Sequence, residues 1–191
     1  MSAILKRAVS LIEKPLNVDD IRFKNGNTED IITVISEADK EAAHGRTITR
    51  FARLLRGGTE KETCRNIWHF VKHNIPYKAD TAGYERIRLP NKTIYDAATI
   101  GNGGDCKSFS VLIADLCREL GIRCFFRLIS QKAGRKIHHV YVVAVLSNER
   151  KVYLDAVHHT FNAEPFYVTK KDIDSCSGDN QVSGLINSVI F

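Results

Sequence analysis

The pattern of apolar and polar positions divides the chain into a helical first part and a strand-rich second part. Helices are predicted over 28–43, 46–56 and 60–75, where apolar residues recur at helical spacing or capping residues mark the first turn. A further amphipathic helix is predicted from Asp105 to Gly121. Beyond Gly121 the apolar period changes to two, which is typical of strands. This order of elements predicts an α+β protein in which helices come first and the sheet comes last.

Three stretches of the second part are predicted to form an antiparallel meander. Residues 122–130, 137–146 and 151–157 are rich in Ile, Val, Phe and Tyr, and turn-like polar segments separate them at 131–136 and 147–150. Short polar connections of this kind join neighbouring antiparallel strands. The meander is therefore expected to follow directly on the helix that begins at Asp105.

Local signals fix the ends of several elements. Thr59 and Glu62 have the spacing of a capping box, in which each side chain accepts the backbone N–H of the other residue. Pro76 is expected to end that helix. Glycines and prolines punctuate the stretch 77–104, which is predicted to be a long functional loop, because structureless segments of that length usually have a role. Residues 1–27 show no clear pattern beyond a short helical start.

Composition narrows the range of functions. With 191 residues, 43% of them hydrophobic, the chain is long enough to bury a core without disulfides or metals. No apolar run is long enough to cross a membrane, and the first residues lack the pattern of a secretory signal, so a cytoplasmic location is expected. The five cysteines include no CxxC pair, which fits a reducing compartment.

Positive charge is concentrated in one segment. The net charge is +6, and residues 46–72 hold seven basic side chains against Glu60 and Glu62. No aromatic residues interleave with the arginines, so nucleic-acid binding is not expected. A solvated helix face is the first interpretation of this segment, and a surface for an assembly partner is the alternative. The apolar tail 185–191, which follows a Ser/Gly/Asp-rich linker, is a second candidate surface for a partner.

Cys106 has the position of a nucleophile. It lies in the first turn of a predicted helix, directly after the glycine-rich segment 101–104, and Asp105 is placed to cap that helix. The N–H groups and the partial positive charge of a helix N-terminus favour the thiolate, which is the reactive form of cysteine. Cys106 also falls outside the apolar stripe of its helix. Cys117 and Cys124 fall on apolar positions and are predicted to be buried.

His139 and Asp155 complete a pattern that is used for acyl transfer. An imidazole can take the proton of a thiol and later give it to the leaving group, and a carboxylate can hold that imidazole in place. His138 and His139 point to opposite faces of their strand, so only one of them can face the helix of Cys106. Asp155 shares a face with His139 only if the two strands pair with an even index sum, as they do when the loop is 147–149.

These segments resemble the transglutaminase-like superfamily. The run Gly-Gly-Asp-Cys-Lys-Ser-Phe-Ser at 103–110 looks like its nucleophile segment, His-Val-Tyr at 139–141 like its histidine strand, and Tyr-Leu-Asp at 153–155 like its aspartate strand. The residues from Ile67 to Pro90 resemble the helix and loop that precede the cysteine in that family. The resemblance covers roughly residues 60–160. It is specific because all three segments occur in the right order and spacing.

The resemblance implies a fold and a division of the chain. The fold is a papain-related, transglutaminase-like core of α+β type, with N-terminal helices and with the nucleophile helix packed on an antiparallel β-sheet. Residues 46–172 would form the catalytic domain. Residues 1–45 would be an N-terminal helical extension, and residues 173–191 a linker with the apolar tail. The resemblance is greatest to bacterial and phage versions, which can accompany virion genes, so association with a virion is a second expected location.

The resemblance also implies a chemistry. Cys106, His139 and Asp155 would be a catalytic triad that forms a thioester from an amide. Members of the family include peptidases, amidases and cross-linking enzymes, so the acyl group passes either to water or to an amine. Hydrolysis of a protein or peptide substrate is favoured, because small versions need no calcium, and no cofactor is expected. The alternative is a non-catalytic structural or assembly protein, such as a virion component, that keeps the fold.

Three further residues have two interpretations each. Asn102 is either an amide donor to the oxyanion or a turn residue between glycines. Tyr141 either lines the cleft and positions substrate or packs the sheet. Lys107 is predicted to face solvent, with electrostatic support of the thiolate as the alternative. No metal site is expected, because adjacent histidines on a strand, as at 138–139, point in opposite directions.

Overall fold

The computed structural model describes residues 1–16, 19–24, 27–81, 84–134 and 136–175. Its helices are, in chain order, α1 (Ala3–Val9), α2 (Thr28–Gly45), α3 (Thr49–Ala52), α4 (Glu60–Asn74), α5 (Pro90–Thr99) and α6 (Cys106–Glu119). Its strands are β1 (Asp20–Lys24), β2 (Tyr84–Arg88), β3 (Arg123–Ser130), β4 (His139–Val145), β5 (Lys151–Leu154) and β6 (Thr169–Asp174). The protein is therefore of the predicted α+β class.

Two antiparallel sheets organise the chain. One has the strand order β5-β4-β3-β6, and the other pairs β1 with β2. The predicted meander is confirmed by the first sheet, in which β3, β4 and β5 are neighbours in sequence order. Strand β6 was not predicted, because Ile173 is its one apolar residue. Its place depends on pairing with β3, where Arg127 Nε donates to Asp172 Oδ1 at 2.7 Å.

Helix α6 lies at the centre of the molecule. Helices α2, α4 and α5 pack against it, and strands β3 and β4 cover another side. All of its residues from Lys107 to Cys117 are buried, and the hydroxyl of Ser110 donates to the carbonyl of Val140 at 3.1 Å. A helix enclosed on so many sides has no freedom to shift as a unit. The packing of the core therefore fixes the place of Cys106 at its first turn.

The N-terminal segment shares this core. Leu5 of α1 and Ile35 of α2 belong to the same hydrophobic cluster as the buried face of α6. The segment 1–45, predicted as a helical extension, also contains β1. At the other end, the predicted linker begins inside β6, and the apolar tail 185–191 lies outside the described residues. No helix in the described ranges is both long and apolar enough to span a bilayer.

The prediction of one long loop over 77–104 is wrong. This stretch contains β2 and α5. In the sequence Pro90 suggests a loop, but it occupies the first turn of α5, where a residue without an N–H costs no hydrogen bond. Strand β2 has a single aliphatic residue, Ile87, and forms because β1 pairs with it. Neither element shows a strong period of its own, so tertiary contacts decide both.

Several predicted helix ends are confirmed. Thr59 and Glu62 form the capping box at the start of α4, and Asp105 caps α6 by accepting the N–H of Lys107 at 3.0 Å. The cap of α2 is Asn27, one residue before the predicted position. Residues 46–56 form only the short α3, which is followed by a turn of 3₁₀ helix.

Candidate active site

Cys106 is the first residue of α6, and close packing requires the two glycines that lead into it. A Cβ at Gly103 would lie 2.0 Å from Cγ2 of Ile75, and one at Gly104 would lie 2.6 Å from Oγ of Ser108. Gly104 also has a φ of +93°, which residues with a side chain rarely adopt. Only glycine fits at either position, so the sequence Gly-Gly sets how the backbone enters the helix.

Residues 76 and 78, which follow α4, hold the same glycine segment through backbone hydrogen bonds. Gly103 donates its N–H to the carbonyl of Pro76 at 3.0 Å, and Lys78 donates its N–H to the carbonyl of Gly104 at 2.9 Å. These bonds fix the loop on one side, and α6 fixes it on the other. The thiol of Cys106 is therefore presented from a rigid support.

The β4–β5 hairpin brings His139 to Asp155. Leu146 and Arg150 close the turn through a backbone hydrogen bond of 2.9 Å, so the loop is 147–149 and the predicted even register is confirmed. His139 is the first residue of β4, and Asp155 directly follows β5. His139 Nε2 lies 2.7 Å from Asp155 Oδ2. The register places both side chains on one face, as the index sum requires.

The side chain of Cys106 lies beside the His139 ring, since its interaction with the ring is among the causes that raise the pKa of His139. Because Nε2 is bound to Asp155, the nitrogen that remains for the sulfur is Nδ1. The neighbouring His138 is exposed and has no part in this contact. The structure thus brings together the three residues that the sequence analysis singled out, in the order sulfur, imidazole, carboxylate.

The alternation of side chains along β4 does not explain why His139, rather than His138, lies beside Cys106. Val140 and Val142 belong to the core shared with α6, whereas Tyr141 and Val143 form a second cluster. By alternation His139 belongs with the second cluster, away from the helix. It reaches Cys106 because it stands at the first position of β4, where the sheet ends.

The electrostatics of the site favour a protonated imidazole. Burial lowers the pKa of His139, but the hydrogen bond with Asp155 and the contact with Cys106 outweigh it, and the pKa rises from 6.5 to about 10. At neutral pH the ring therefore carries a proton on both nitrogens. Nε2–H then donates to the carboxylate, and Nδ1–H donates to the sulfur.

Asp155 is held by its own backbone surroundings. Its Oδ1 accepts the N–H of Val157 at 2.9 Å and that of His158 at 3.3 Å, and its carbonyl accepts the indole N–H of Trp68 at 2.8 Å. Trp68 belongs to the buried core, where it is 7% exposed. Its hydrogen bond to a residue 87 positions away had no signal in the sequence.

The prediction that Lys107 faces solvent is wrong. Its side chain is 8% exposed, and its ammonium group binds Asp105, Glu85 at 2.6 Å and Asp80 at 3.3 Å. Burial lowers the pKa of Lys107, but the carboxylates around it outweigh this and raise it. The residue faces inward because β2 and the loop before it cover the start of α6. The residue after Cys106 thus neutralises an acidic cluster beside the thiol.

Asn102 and Tyr141 lie near the three residues in different ways. The carboxamide oxygen of Asn102 accepts the N–H of Gly104 at 3.0 Å, which is the bond of a turn residue and leaves only its Nδ2 group as a free donor. Tyr141 is 1% exposed and packs in the second cluster, with its ring centroid 6.0 Å from that of His139. Of the two interpretations of Tyr141, the structure favours packing of the sheet over lining of the cleft, because a side chain buried in the sheet does not reach substrate.

The comparison with known families concerns this part of the chain. The profile of the transglutaminase-like superfamily matches residues 49–156, which is more than half of the chain. The chain belongs to the transglutaminase-like superfamily. The matched range runs from the start of α3 to the residue after Asp155, and so includes Cys106 and His139. The α+β fold described above is the transglutaminase-like, papain-related fold.

The chain has partial similarity to solved structures. A candidate protease from Parabacteroides distasonis has a TM-score of 0.46 at 15% identity, over 67% of this chain and 26% of its own. A TGase has a TM-score of 0.38 at 10% identity, over 74% and 36%. A candidate cysteine protease from Cytophaga hutchinsonii has a TM-score of 0.40 at 20% identity, over 77% and 46%. The transglutaminase-like chain spans less than half the length of each. A search of curated proteins gave no match.

Two grooves lie beside the backbone that leads into Cys106 in this transglutaminase-like domain: the first is lined by Pro76 and Tyr77 among others, and the second by Lys78 and Asn102. The first has a volume of about 360 Å³ and is lined by the end of α4, by Phe109 and by the residues that follow Asp155. The second, of about 720 Å³, is lined by the β1–β2 sheet, by Lys78 and by Asn102. Both are large enough to accept parts of a peptide chain.

Acidic side chains near the second groove are already matched by a cation. Oxygen atoms of Asp80, Glu85 and Asp105 lie within 4.8 Å of one another, a spacing that suits a metal ion. The ammonium group of Lys107 lies among them. This lysine therefore supplies the positive charge that the three carboxylates require.

Proposed function

We propose that the protein is a cysteine acyl-transfer enzyme that acts on amide bonds through a thioester, and that water is its main acyl acceptor. The observation that carries this proposal is the chain of contacts from Cys106 through His139 to Asp155. Membership of the transglutaminase-like superfamily supports it, because acyl transfer from a cysteine thioester is the chemistry that the resemblance implies. Each of the three residues takes a separate role.

In the first half of the reaction, the Cys106 sulfur attacks the carbonyl carbon of the amide and forms a C–S bond. The carbonyl electrons move to the oxygen. When the C–N bond breaks, His139 gives its Nδ1 proton to the leaving nitrogen, which departs as an amine. Asp155 holds the ring through Nε2–H, so the imidazole keeps the orientation that this proton transfer needs.

The oxyanion needs donors close to the sulfur. The N–H of Cys106 is one of the first N–H groups of α6, which have no acceptor within the helix. The Nδ2 group of Asn102 is the second donor in this proposal, since its carboxamide oxygen is already bound to Gly104. The positive end of the α6 dipole adds to the same stabilisation.

In the second half, neutral His139 takes a proton from water, and the oxygen of the water attacks the thioester carbon. The C–S bond breaks, a carboxylic acid leaves, and the sulfur again faces a protonated ring. Cys106 and His139 both keep part of their surface exposed to solvent. An enzyme that selects an amine over water has to keep water away from its thioester. The exposure of the two residues therefore supports hydrolysis over cross-linking.

The first experiment measures the reactivity of Cys106 in the native protein. Iodoacetamide labelling is followed from pH 5 to pH 9, and peptide mapping reports which cysteine reacts. We expect Cys106 to be labelled selectively below pH 7, because the ion pair with His139 supplies a thiolate there. The His139→Ala variant should lose this labelling or shift it to higher pH. The matched control is His138→Ala, which removes an exposed imidazole next to it and should behave as wild type.

Labelling of Cys106 at the rate of an ordinary exposed thiol, unchanged in His139→Ala, would refute the proposed ion pair. The interpretation would then move to the non-catalytic assembly protein. A second assay separates the two acyl acceptors. Denatured casein is incubated with a fluorescent primary amine, and new amino termini and incorporated fluorescence are both counted. We expect new termini in excess, whereas incorporation without cleavage would assign cross-linking.

A further inference from the structure

The first groove contains a lysine, Lys72, that forms no ion pair with any residue in the described ranges. Lys72 lies in the last turn of α4, and its ammonium group donates to the carbonyl of Val157 at 3.0 Å. Among the residues that the structure describes, no carboxylate forms an ion pair with it. An ammonium group has three N–H donors, so two remain after the bond to Val157. A half-buried cation with unused donors in a groove attracts an anion.

The rest of the groove offers Lys72 no competing charge. Its walls combine polar residues such as His73 and Asn74 with apolar ones such as Phe109, and none of its lining residues is acidic. The acidic groups on the far side of Cys106 are matched by Lys107, and Asp155 is matched by His139. The attraction of Lys72 is therefore not cancelled by a neighbouring carboxylate.

The groove is lined by residues that are close in sequence to Cys106 and to Asp155. Phe109 lies one helical turn after Cys106, and its ring meets that of Tyr77 edge to face at 5.7 Å. Burial, and then the nearby Cys106 and Asp105, raise the pKa of Tyr77 to about 12, so its hydroxyl is neutral and lies close to the site. The opposite wall follows directly on Asp155. Both walls of the groove thus belong to segments that also hold residues of the site, which places Lys72 in the surroundings of the site.

We propose that Lys72 is a specificity residue, and that the substrate carries a carboxylate that enters this groove close to the scissile amide. The proposal rests on the cysteine acyl-transfer function. One lysine is a compact single charge, which suits one carboxylate, whereas the planar fork of arginine is the group that matches a phosphate bidentately. The carboxylate belongs either to an acidic side chain or to a C-terminus, and the two sources share this chemistry.

The test uses pairs of alkylating probes that differ only in charge. Bromoacetyl-glutamate α-amide is compared with bromoacetyl-glutamine α-amide for the side-chain source. Bromoacetyl-glycine is compared with bromoacetyl-glycinamide for the C-terminal source. The measured quantity is the ratio of Cys106 alkylation rates, acidic over neutral, at low ionic strength. This ratio cancels any change in the reactivity of the thiol itself, and it needs no turnover of a substrate.

In the wild-type protein we expect a preference for the acidic probe in at least one pair. In Lys72→Met that ratio should fall about five- to ten-fold, the size of one partly buried charge-assisted contact. Lys72→Arg keeps the charge and should retain most of the preference, which also guards against a folding defect in Lys72→Met. Lys61→Met is the matched control, since Lys61 is exposed on the first turn of the same helix. It should leave the ratio unchanged.

Each result has a distinct meaning. A Lys72-dependent preference in the glutamate pair assigns an acidic side chain, and one in the glycine pair assigns a C-terminal carboxylate. Alkylation of Cys106 with equal ratios in wild type and Lys72→Met would overturn the role of Lys72 while leaving the proposed enzyme intact. Failure of every probe to alkylate Cys106 would overturn both the enzyme and the specificity inference.

Discussion

The ion pair between His139 and Asp155 can be tested by removing one charge with almost no change in shape. Asp155→Asn keeps a carboxamide in place of the carboxylate, and its oxygen can still accept the backbone N–H groups of Val157 and His158. What it removes is the negative charge 2.7 Å from His139 Nε2. The carboxylate is only 5% exposed, so solvent does not screen this charge.

The size of the effect follows from the pKa of His139. It rises from 6.5 to about 10 although burial lowers it, because Asp155 and Cys106 both favour the protonated ring. One neighbouring opposite charge moves a pKa by about 1–3 units, and each unit corresponds to about 1.4 kcal/mol. Asp155→Asn should therefore reduce the free energy of unfolding by about 1.4–4 kcal/mol wherever the ring is protonated.

The sign of the pH dependence is set by the direction of the shift. A raised pKa in the folded state gives stability that is fully present below the unfolded pKa, near 6.5, and is lost as the pH rises through about 10. Urea unfolding of wild type and Asp155→Asn at pH 5.5 and pH 10, under reducing conditions, measures this directly. We expect a large difference in stability at pH 5.5 and a small one at pH 10.

The matched control is Asp174→Asn, which makes the same chemical change at an exposed position of β6. It should leave the free energy of unfolding nearly unchanged at both pH values. A difference between wild type and Asp155→Asn that is equal at pH 5.5 and pH 10 would contradict the reasoning. The role of Asp155 would then be steric rather than electrostatic.

Three other substitutions test the surroundings of the site. Lys107→Met leaves three carboxylates without their cation and should lower the free energy of unfolding by about 3–5 kcal/mol in urea at pH 7, whereas Lys107→Arg should lower it less. Trp68→Phe leaves the carbonyl of Asp155 without its donor; it should cost about 1–3 kcal/mol in the same assay and slow Cys106 labelling at pH 6. Thr59→Ala removes the cap of α4 far from the cleft; it should cost about 1 kcal/mol by thermal unfolding and leave Cys106 labelling unchanged.

Local features of the structure were largely predictable from the sequence. Side-chain capping and backbone sterics act over a few residues, which is why the capping box at Thr59 and the cap at Asp105 were found. The hairpin register followed from the hypothesis of a triad, because only a loop of odd length puts His139 and Asp155 on one face, and the observed register agrees with it. The identity of Cys106 as the candidate nucleophile followed from its place at a helix start.

Elements whose existence depends on distant partners were missed. Strands β2 and β6 carry few apolar residues and form because β1 and β3 pair with them. Helix α5 begins with Pro90, and a proline more often indicates the end of a helix than its first residue. Lys107 is charged and was read as exposed. Its burial requires three carboxylates from separate segments, and no local sequence pattern indicates that these carboxylates come together.

The class of the fold and the start of α6, with Cys106 in its first turn, were predictable from the sequence alone, and the hypothesis of a triad required the register that aligns Asp155 with His139. These depend on hydrogen bonds and sterics between residues close in the chain. Contacts between distant segments decided that His139 lies beside Cys106, that Trp68 supports Asp155, and that Lys72 lies in the first groove without an ion-pair partner among the described residues. Those contacts join residues tens of positions apart, and packing of the whole core sets their distances.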